Sequence, residues 1–390
     1  MYGYAAEAQV FVNGHVQFAN MKKLFPGKVV SWVESSIAPI AIIITNIMNI
    51  KKLLPLLLGS LAACTGHDTP RYALPEFKNE SDAQFEILSQ EALPARHIIG
   101  LDIYGDNLIV YGFFTDNFIN IYDKRSGALR AQCLKAGRGP GETTRIAAPY
   151  LDEALGTITF TDTSTKQIRR LDLDGIMRGE FPLINGTGMA YPWCMTEFDL
   201  GNGNRFVYNA VSFLSRTGPD PRMALLKEGT AVDEYLLFPF DIGDTATNGQ
   251  FYVYQQSLIK MAPDRTRVAV GTTQSGMLLE TFDIGGNQVK KSGVGYFAEP
   301  GLAPSSNNPF GFSAMSVTDK RIVAAMGEDV HQPVFQDIAL FDWRCRPVKR
   351  FKTDRSIYAL CIDESDGTLY AVVDDEEKGY LLARLDRKPD

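Results

Sequence analysis

The stretch from Ala136 to Glu142 (AGRGPGE) has the composition in this chain that best suits binding chemistry. Its three glycines permit positive φ and close approach of a ligand, while its proline fixes φ. Such a loop can form a concave surface of N–H groups for an anionic ligand, assisted by Arg138 and Arg145. We favour a second interpretation, a tight connection pinned by Arg138 and Glu142, because glycine and proline are first of all turn residues. No helix and no Lys-Ser/Thr pair follows, which excludes a nucleotide phosphate loop.

Other sequence patterns in the chain give weaker evidence for a catalytic or metal site. Of the four histidines, only His97 and His331 fall in the predicted folded body, which is a thin basis for acid–base or metal chemistry. The segments Asp172–Gly175 and Asp363–Gly367 look faintly like calcium loops but lack the full spacing, so they predict hairpin turns. Neither a Gly-x-Ser-x-Gly nor a His-Glu-x-x-His motif occurs. We therefore predict no catalytic residue, no metal site and no cofactor, although a channel metal stays open.

The segment Met48 to Cys64 (MNIKKLLPLLLGSLAAC) has a short positive head, an apolar run and small residues before the cysteine. This order is typical of a secretory signal. A cysteine directly after Leu-Ala-Ala resembles the lipobox of bacterial lipoproteins. The resemblance implies that residues 48–63 are a signal peptide, that Cys64 is lipidated, and that the protein meets the membrane through its N-terminal lipid.

Two segments flank this signal. Residues 1–47 are predicted to be a non-native extension, with translation starting at Met48, because a signal peptide should begin the chain. The alternative is a genuine cytoplasmic extension with one long membrane anchor, which would bury Lys51 and Lys52 at about 2.5–3.5 kcal/mol each near the bilayer centre. Residues 64–82 are polar and contain two prolines, which predicts a flexible tether.

Charge and cysteine content exclude several classes of function. Removal of residues 1–63 takes away five lysines and two glutamates and leaves 34 basic against 44 acidic residues, a net charge of −10. No basic stripe appears, so nucleic acid is not an expected partner. Apart from Cys64, the chain has four cysteines, and these contain no CxxC pair, so no zinc site is predicted. Sequence alone cannot pair them, and buried free thiols are the default expectation for Cys133, Cys194, Cys345 and Cys361.

From Ile98 onward, one unit of short strands recurs. An apolar or aromatic residue followed by Asp ends a strand in most copies, roughly 50 residues apart, which is near the period of propeller blades. The marks are Tyr122-Asp123, Leu171-Asp172, Phe282-Asp283, Phe341-Asp342 and Leu385-Asp386, while the third copy departs from the pattern at Leu225–Gly229. Copies begin near Ile98, Ile146, Met195, Ser257, Gly311 and Ile357.

The last copy holds only three clear strands, which would leave an exposed sheet edge. We predict that a strand within Gln84–Gln90 pairs onto this copy and closes the ring. Residues 83–390 are therefore predicted to form an all-β, six-bladed β-propeller of four-stranded antiparallel blades.

A GRGPGE loop after the first blade, in a chain led by a lipobox, resembles the TolB-like six-bladed propeller lipoproteins of Gram-negative gut bacteria. NHL-type propellers are similar more distantly. The resemblance covers roughly Phe85 to Asp386, through the blade count and this single motif. It implies a lipid-anchored protein of the cell envelope, at the outer membrane, with the periplasmic or surface face left open. It supports fold and location far more than activity.

In a four-stranded meander, the loops between strands two and three share one face with the connections between blades. The glycine loop lies on that face, which we call the rim. Long surface loops are where binding usually resides. The candidate ligand-binding residues on the rim are Asp116, Asn117, Arg138, Glu142, Arg145, Asp162, Lys166, Arg222 and His331.

Two functions from different classes fit this architecture. The first is a non-enzymatic binding or protein-interaction module at the bacterial cell envelope that presents the rim to a protein, peptide or glycan. The second is a lactonase-like or lyase-like enzyme with a metal in the central channel, which needs several inward-facing acidic, Asn or His residues from different blades. Sequence gives no clear set of these, and fold alone does not establish activity, so we favour the first.

Overall fold

The computed structural model describes most of the predicted propeller. It covers residues 75–388 apart from 90, 140, 154, 181–182, 189–193, 210–221, 229, 236–256, 275, 286–288, 296–309 and 330. The predicted N-terminal extension, the signal peptide, Cys64 and residues 64–74 of the predicted tether lie outside the described residues. Within the described part of the chain, no helix has the length and hydropathy needed to cross a membrane.

Six small sheets follow one another along the chain, preceded by β1 (Glu80–Asp82) and β2 (Phe85–Ile87). Blade one contains β3 (His97–Tyr104), β4 (Asn107–Phe113), β5 (Asn117–Asp123) and β6 (Leu129–Lys135). Blade two contains β7 (Ile146–Asp152), β8 (Thr157–Asp162), β9 (Gln167–Asp172), a short helix α1 (Leu173–Met177) and β10 (Leu183–Gly188). Blade three contains β11 (Cys194–Gly201), β12 (Asn204–Asn209), β13 (Met223–Lys227) and β14 (Thr230–Tyr235). Blade four contains β15 (Leu258–Met261), β16 (Arg267–Gly271), β17 (Leu278–Asp283) and β18 (Lys290–Gly295). Blade five contains β19 (Ala314–Val317), β20 (Ile322–Met326), β21 (Asp337–Phe341) and β22 (Pro347–Lys352). Blade six contains β23 (Ile357–Ile362), β24 (Leu369–Asp375) and β25 (Gly379–Leu385).

The predicted fold class is confirmed. The strands pair in chain order as antiparallel meanders, and each blade begins within three residues of a predicted copy start. The middle strands are buried along almost their whole length, as β20 and β21 show. Both faces of such a strand pack against neighbouring blades, which is why these segments are continuous apolar runs rather than alternating ones.

The ring closes as predicted, through the N-terminal part of the propeller. Strand β2 pairs antiparallel with β25, with Phe85 opposite Leu385. The Arg384 guanidinium donates two hydrogen bonds to the Glu86 carboxylate, at 2.8 and 3.0 Å. The last blade therefore obtains its fourth strand from the other end of the propeller sequence, and the three-residue strand β2 covers the edge that β25 would otherwise expose.

A second strand also joins the propeller, from within the predicted tether. Strand β1 pairs parallel with β22 and adds a fifth strand to blade five. The Arg350 N–H donates to the Asn79 carbonyl at 2.9 Å, and the Phe77 ring lies edge-on to Phe341 with centroids 5.5 Å apart. The end of the polar segment 64–82 therefore has a packing role that its composition does not indicate.

One predicted hairpin turn is wrong. The residues after Asp172 form the short helix α1 rather than a turn. The Asp172 carboxylate accepts a hydrogen bond from the Gly175 N–H at 2.9 Å and caps the helix. An aspartate two to three residues before a glycine suits both structures, so the local sequence did not separate them.

The expected buried free thiols are confirmed for three cysteines. Cys133, Cys345 and Cys361 are buried and unpaired. Burial raises the pKa of the Cys133 thiol to about 12, and the pKa of Cys345 likewise to about 12. Such thiols stay protonated and unreactive at neutral pH. The Cys194 side chain lies outside the described residues.

Candidate functional site

The glycine loop ties the rim ends of blades one and two together. The Ala136 N–H donates to the Asp116 carbonyl at 2.8 Å, and the Gly137 N–H donates to the Thr143 carbonyl at 3.0 Å. On the blade-two side, the Thr163 N–H donates to the Arg145 carbonyl at 3.3 Å. These bonds place the predicted residues around positions 116–117, 138–145 and 162–166 on one surface.

The concave side of the loop is occupied by the chain itself. The Gly139 N–H donates to Glu142 Oε2 at 2.8 Å, and Lys135 Nζ lies 3.7 Å from Glu142 Oε1. A Cβ on Gly137 would stand 1.9 Å from Glu142 Oε2, so only glycine permits this approach. The carboxylate of Glu142 thus takes the place that an anionic ligand would have in the less favoured interpretation of this loop. The predicted pairing with Arg138 does not form, since Arg138 is exposed and has no ion-pair partner among the described residues.

Asp162 is buried rather than presented to solvent. Its Oδ1 accepts from the Ser164 N–H at 3.0 Å and from the Thr165 N–H at 3.2 Å, and Arg169 Nε lies 3.2 Å from Oδ2. Burial opposes ionisation, but hydrogen bonds from the Ser164 hydroxyl and from Thr165, together with the charge of Arg169, outweigh it and hold the pKa of Asp162 below its ordinary value. Asp162 therefore shapes the hairpin of blade two.

Arg222 is not a rim residue that a ligand can reach without rearrangement. Its side chain is 1% exposed and lies between blades three and four. Its Nη2 is 2.6 Å from Glu280 Oε2, and its guanidinium lies over the Phe282 ring at 5.3 Å. Lys291 supplies a second cation 3.3 Å from Glu280. The structure therefore corrects the expected exposure of Arg222 and makes it an inter-blade contact.

The other predicted rim residues have some solvent access. Asp116, Arg145, Lys166 and His331 are exposed, and Asn117 is half-buried. His331 lies on the loop of blade five, where its backbone N–H donates to Asp329 Oδ1 at 2.9 Å. These residues keep the exposure that a ligand contact requires, and their role stays a prediction.

A cavity of about 490 Å³ lies at the other end of the central channel. It is lined by the ends of the first strands of all six blades and by the turns that follow them. Its polar lining residues include Asp102, Asp152, Glu153, Asp199, Lys260, Arg265, Ser316 and Glu364. Strand β7 shows that the rim and the cavity lie on opposite faces, because Arg145 precedes its first residue and Asp152 is its last. Seven extended residues separate the two ends by about 20 Å.

An ion pair between two lining residues crosses the channel at the cavity. Lys260 Nζ of blade four lies 3.2 Å from Asp102 Oδ1 of blade one. These two blades are opposite each other in a ring of six. The other oxygen of Asp102 accepts the Leu151 N–H at 3.2 Å. The pair therefore fixes three blades relative to one another.

Arg265 makes a second set of contacts between blades. Its Nη2 lies 2.9 and 3.1 Å from the two carboxylate oxygens of Asp152 in blade two. Its Nη1 donates to the Asp199 carbonyl of blade three at 3.2 Å. Both cations that line the cavity are thus held by acidic or carbonyl oxygens of other blades.

Two carboxylates at the cavity mouth differ from these. Glu153 of blade two and Glu364 of blade six are solvent-accessible, and neither has a cationic partner within the described part of the chain. Partial burial, followed by the negative charges of Glu364 and Asp102, raises the pKa of Glu153. Partial burial and the charge of Asp319 raise the pKa of Glu364.

The rest of the cavity wall is largely apolar. Tyr150 and Phe198 contact each other with ring centroids 4.7 Å apart. Burial raises the pKa of Tyr150 to about 12, so its phenol stays neutral at physiological pH. Further apolar lining comes from Ile103, Met261, Pro263, Val317 and Ile362. The site thus combines an aromatic wall with charged groups, as small-molecule and side-chain pockets do.

Sequence reasoning missed this cavity. The signal that could have found it is the register of the repeat, because Asp102, Asp152, Asp199 and Lys260 all stand at or near the end of a first strand. The acidic residues from different blades that the enzyme hypothesis requires are therefore present. Among the described residues, however, no group of three or more His, Cys, Asp or Glu side chains is placed to hold a metal ion.

Comparison with known proteins supports the fold. No protein-family profile matches the chain, and no curated protein sequence does. A putative exported protein from Bacteroides fragilis is similar in structure, with a TM-score of 0.54 at 13% identity over 80% of this chain and 99% of that one. A member of the DUF4221 family from Bacteroides vulgatus gives a TM-score of 0.48 at 10% identity over 79% of this chain and 97% of that one. At 13% identity the likeness to the B. fragilis protein shows the fold alone, and it does not confirm the TolB-like family.

Proposed function

We propose that this chain is a binding propeller of the bacterial cell envelope whose ligand seats in the cavity at the end of the central channel. The observation that carries the proposal is the cavity of about 490 Å³ to which every blade contributes. Its volume falls in the range of small-molecule pockets, which also fits a single side chain of a peptide together with its flanking backbone. Its walls offer apolar surface and charge in one place.

The position of the cavity changes the expected binding face. On the rim, the chain's own Glu142 fills the glycine loop, and Arg222 is buried against Glu280. At the cavity, the ends of six strands leave open space. The rim stays a competing site through its exposed residues, above all Arg138.

A pair of matched variants separates the two faces. Ser316→Trp places a large side chain in the cavity, and Arg138→Ala removes the exposed guanidinium on the rim. A panel of peptides and oligosaccharides is tested by thermal shift on the full chain in detergent. We expect ligands that raise the melting temperature of the wild type to lose their effect in Ser316→Trp and to keep it in Arg138→Ala. The reverse result would assign binding to the rim.

Envelope location and lipid anchoring form a separate part of the proposal. They rest on the signal segment and on Cys64, and an exported protein from B. fragilis with the same fold is consistent with export. The outer membrane is the proposed destination. Labelled palmitate should be incorporated by the wild type and not by Cys64→Ser. Wild-type protein without label would reject the anchor and leave the cavity proposal intact.

An enzyme is the second candidate, and one observation favours it. Glu153 and Glu364 are two carboxyls with raised pKa values at the mouth of a cavity, which is a pattern of acid–base sites. If the protein is a lactonase or lyase, turnover of a lactone or uronate panel should fall in Glu153→Gln and Glu364→Gln. Metal analysis of the purified full chain tests the channel metal of the same hypothesis.

A further inference from the structure

The charges that line the cavity do not balance. Three of its five lining carboxylates have a cationic neighbour, because Lys260 lies 3.2 Å from Asp102, Arg265 lies 2.9 Å from Asp152, and Asp199 has Arg170 at 3.6 Å. The other two carboxylates, Glu153 and Glu364 at the mouth, have no cationic neighbour among the described residues. A ligand that brings a positive charge would complete the site.

The charge of one mouth carboxylate acts on the other. Glu153 and Glu364 come from blades two and six, which flank blade one. The negative charge of Glu364 is the next largest contribution, after partial burial, to the raised pKa of Glu153. A cation placed between them relieves this repulsion and is attracted by both.

The walls indicate the rest of the ligand. The tilted pair Tyr150–Phe198 lines the same cavity as the two glutamates. Aromatic faces attract ammonium and guanidinium groups, and apolar side chains accept a hydrocarbon stem. A bare metal ion would use the carboxylates and leave the apolar wall uncovered, whereas an organic cation would contact both.

We propose that the occupant of the cavity carries a primary ammonium or guanidinium group on an apolar stem, as a lysine or arginine side chain of a peptide does, and that Glu153 and Glu364 receive this cation. The inference rests on the proposed function, since it names the ligand class of the same cavity. Tyr150 and Phe198 cover the stem, and the ion pair between Lys260 and Asp102 forms the floor.

Two peptides that differ at one nitrogen test the proposal. The probes are a blocked Gly-Lys-Gly tripeptide and the same peptide acetylated on the lysine amine, titrated into the full chain in detergent by calorimetry or NMR. We expect the amine to bind at least about tenfold more tightly than the amide. Glu153→Gln and Glu364→Gln should each lower the affinity for the amine peptide about tenfold, since each removes a charge-assisted contact. Affinity for the amine should fall as the pH is lowered through the raised pKa values of the two carboxyl groups.

The matched control is Glu377→Gln, an exposed glutamate on the loop between β24 and β25, which should bind both peptides as the wild type does. Melting curves verify that each variant is folded. Equal binding of the two peptides, blocked by Ser316→Trp, would overturn the cation inference and leave the cavity as the ligand site. Amine binding that Ser316→Trp does not change would overturn both. Calcium chloride is the third probe. Calcium binding that depends on Glu153, without binding of the amine peptide, would overturn the proposal and indicate a metal site.

Discussion

The two ends of the inner strands use charged residues in different ways. At the rim end, two of the three candidate acidic groups are bound within the chain, because Glu142 accepts a hydrogen bond from the glycine loop and Asp162 holds a hairpin, while Asp116 stays exposed. Exposed cations such as Arg138 remain. At the cavity end, the cations Lys260 and Arg265 are paired and carboxylates remain. Residue type on a loop therefore does not identify a binding residue. A charged side chain is available to a ligand only when it is not already paired with another group of the chain.

The largest effect is expected where a rim residue turned out to be structural. Arg222→Ala should lower the free energy of unfolding by about 3 kcal/mol, because it leaves Glu280 buried with only Lys291 as a cation. Chemical denaturation measures this. Arg145→Ala, at an exposed position on the same face, is the control and should stay within about 0.5 kcal/mol. Equal effects of the two substitutions would remove the distinction between buried and presented charges.

The channel-spanning pair should give the next largest effect. Lys260→Met should lower the free energy of unfolding by about 2 kcal/mol, since Asp102 loses its cation and keeps the hydrogen bond from the Leu151 N–H. The double variant with Asp102→Asn should recover part of the loss, and the double-mutant cycle gives the coupling between opposite blades. Additive effects would mean that the pair does not hold the cavity floor.

The glycine loop should respond to its carboxylate and not to its arginine. Glu142→Ala should cost about 1 kcal/mol and speed hydrogen exchange at the Gly139 N–H, because that donor loses its acceptor. Arg138→Ala is the matched control and should change stability by less than about 0.5 kcal/mol. If Arg138→Ala destabilises the loop as much, the pinning by Arg138 that the sequence suggested would be restored.

The smallest expected effect concerns the pH dependence of stability. Glu153 at the cavity and Asp162 at the rim should contribute to it with opposite signs. The pKa of Glu153 is raised in the folded protein, so the folded state binds more protons than the unfolded state and stability falls as pH rises through the raised pKa. Glu153→Gln should therefore match the wild type near pH 4 and be more stable at pH 7. Solvent screening keeps this gain small.

Asp162 at the rim should behave in the opposite way. Its pKa is lowered in the folded protein, so its contribution is present above the ordinary aspartate pKa and is lost as pH falls through the folded value. Asp162→Asn should be less stable than the wild type at pH 7 and approach it at low pH. Thermal melts between pH 3 and pH 8 measure both variants, and a common sign would contradict the contrast between the two ends.

Much of the fold could be predicted because the strands and turns of a propeller blade depend on residues that are close in sequence. Short apolar runs such as β20 and turn residues such as Asp366-Gly367 are set by neighbours in the chain. The closing strand β2 followed from counting strands in the last copy. The parallel strand β1 could not be found in this way, because its sequence is polar and its partner β22 is distant in the chain. The candidate rim residues stay a prediction, whereas the cavity at the other end of the strands was not foreseen because its lining comes from six separate blades.

The sequence by itself determined the blade count, the strand order and the means of closing the ring. These depend on apolar period and on the cost of an unpaired edge, both of which are local or countable. Only the tertiary structure decided which charges are available. Arg222 meets Glu280 across 58 residues, and Lys260 meets Asp102 across 158. Electrostatic interaction depends on distance in space and on burial, and neither is encoded at a fixed spacing along this chain.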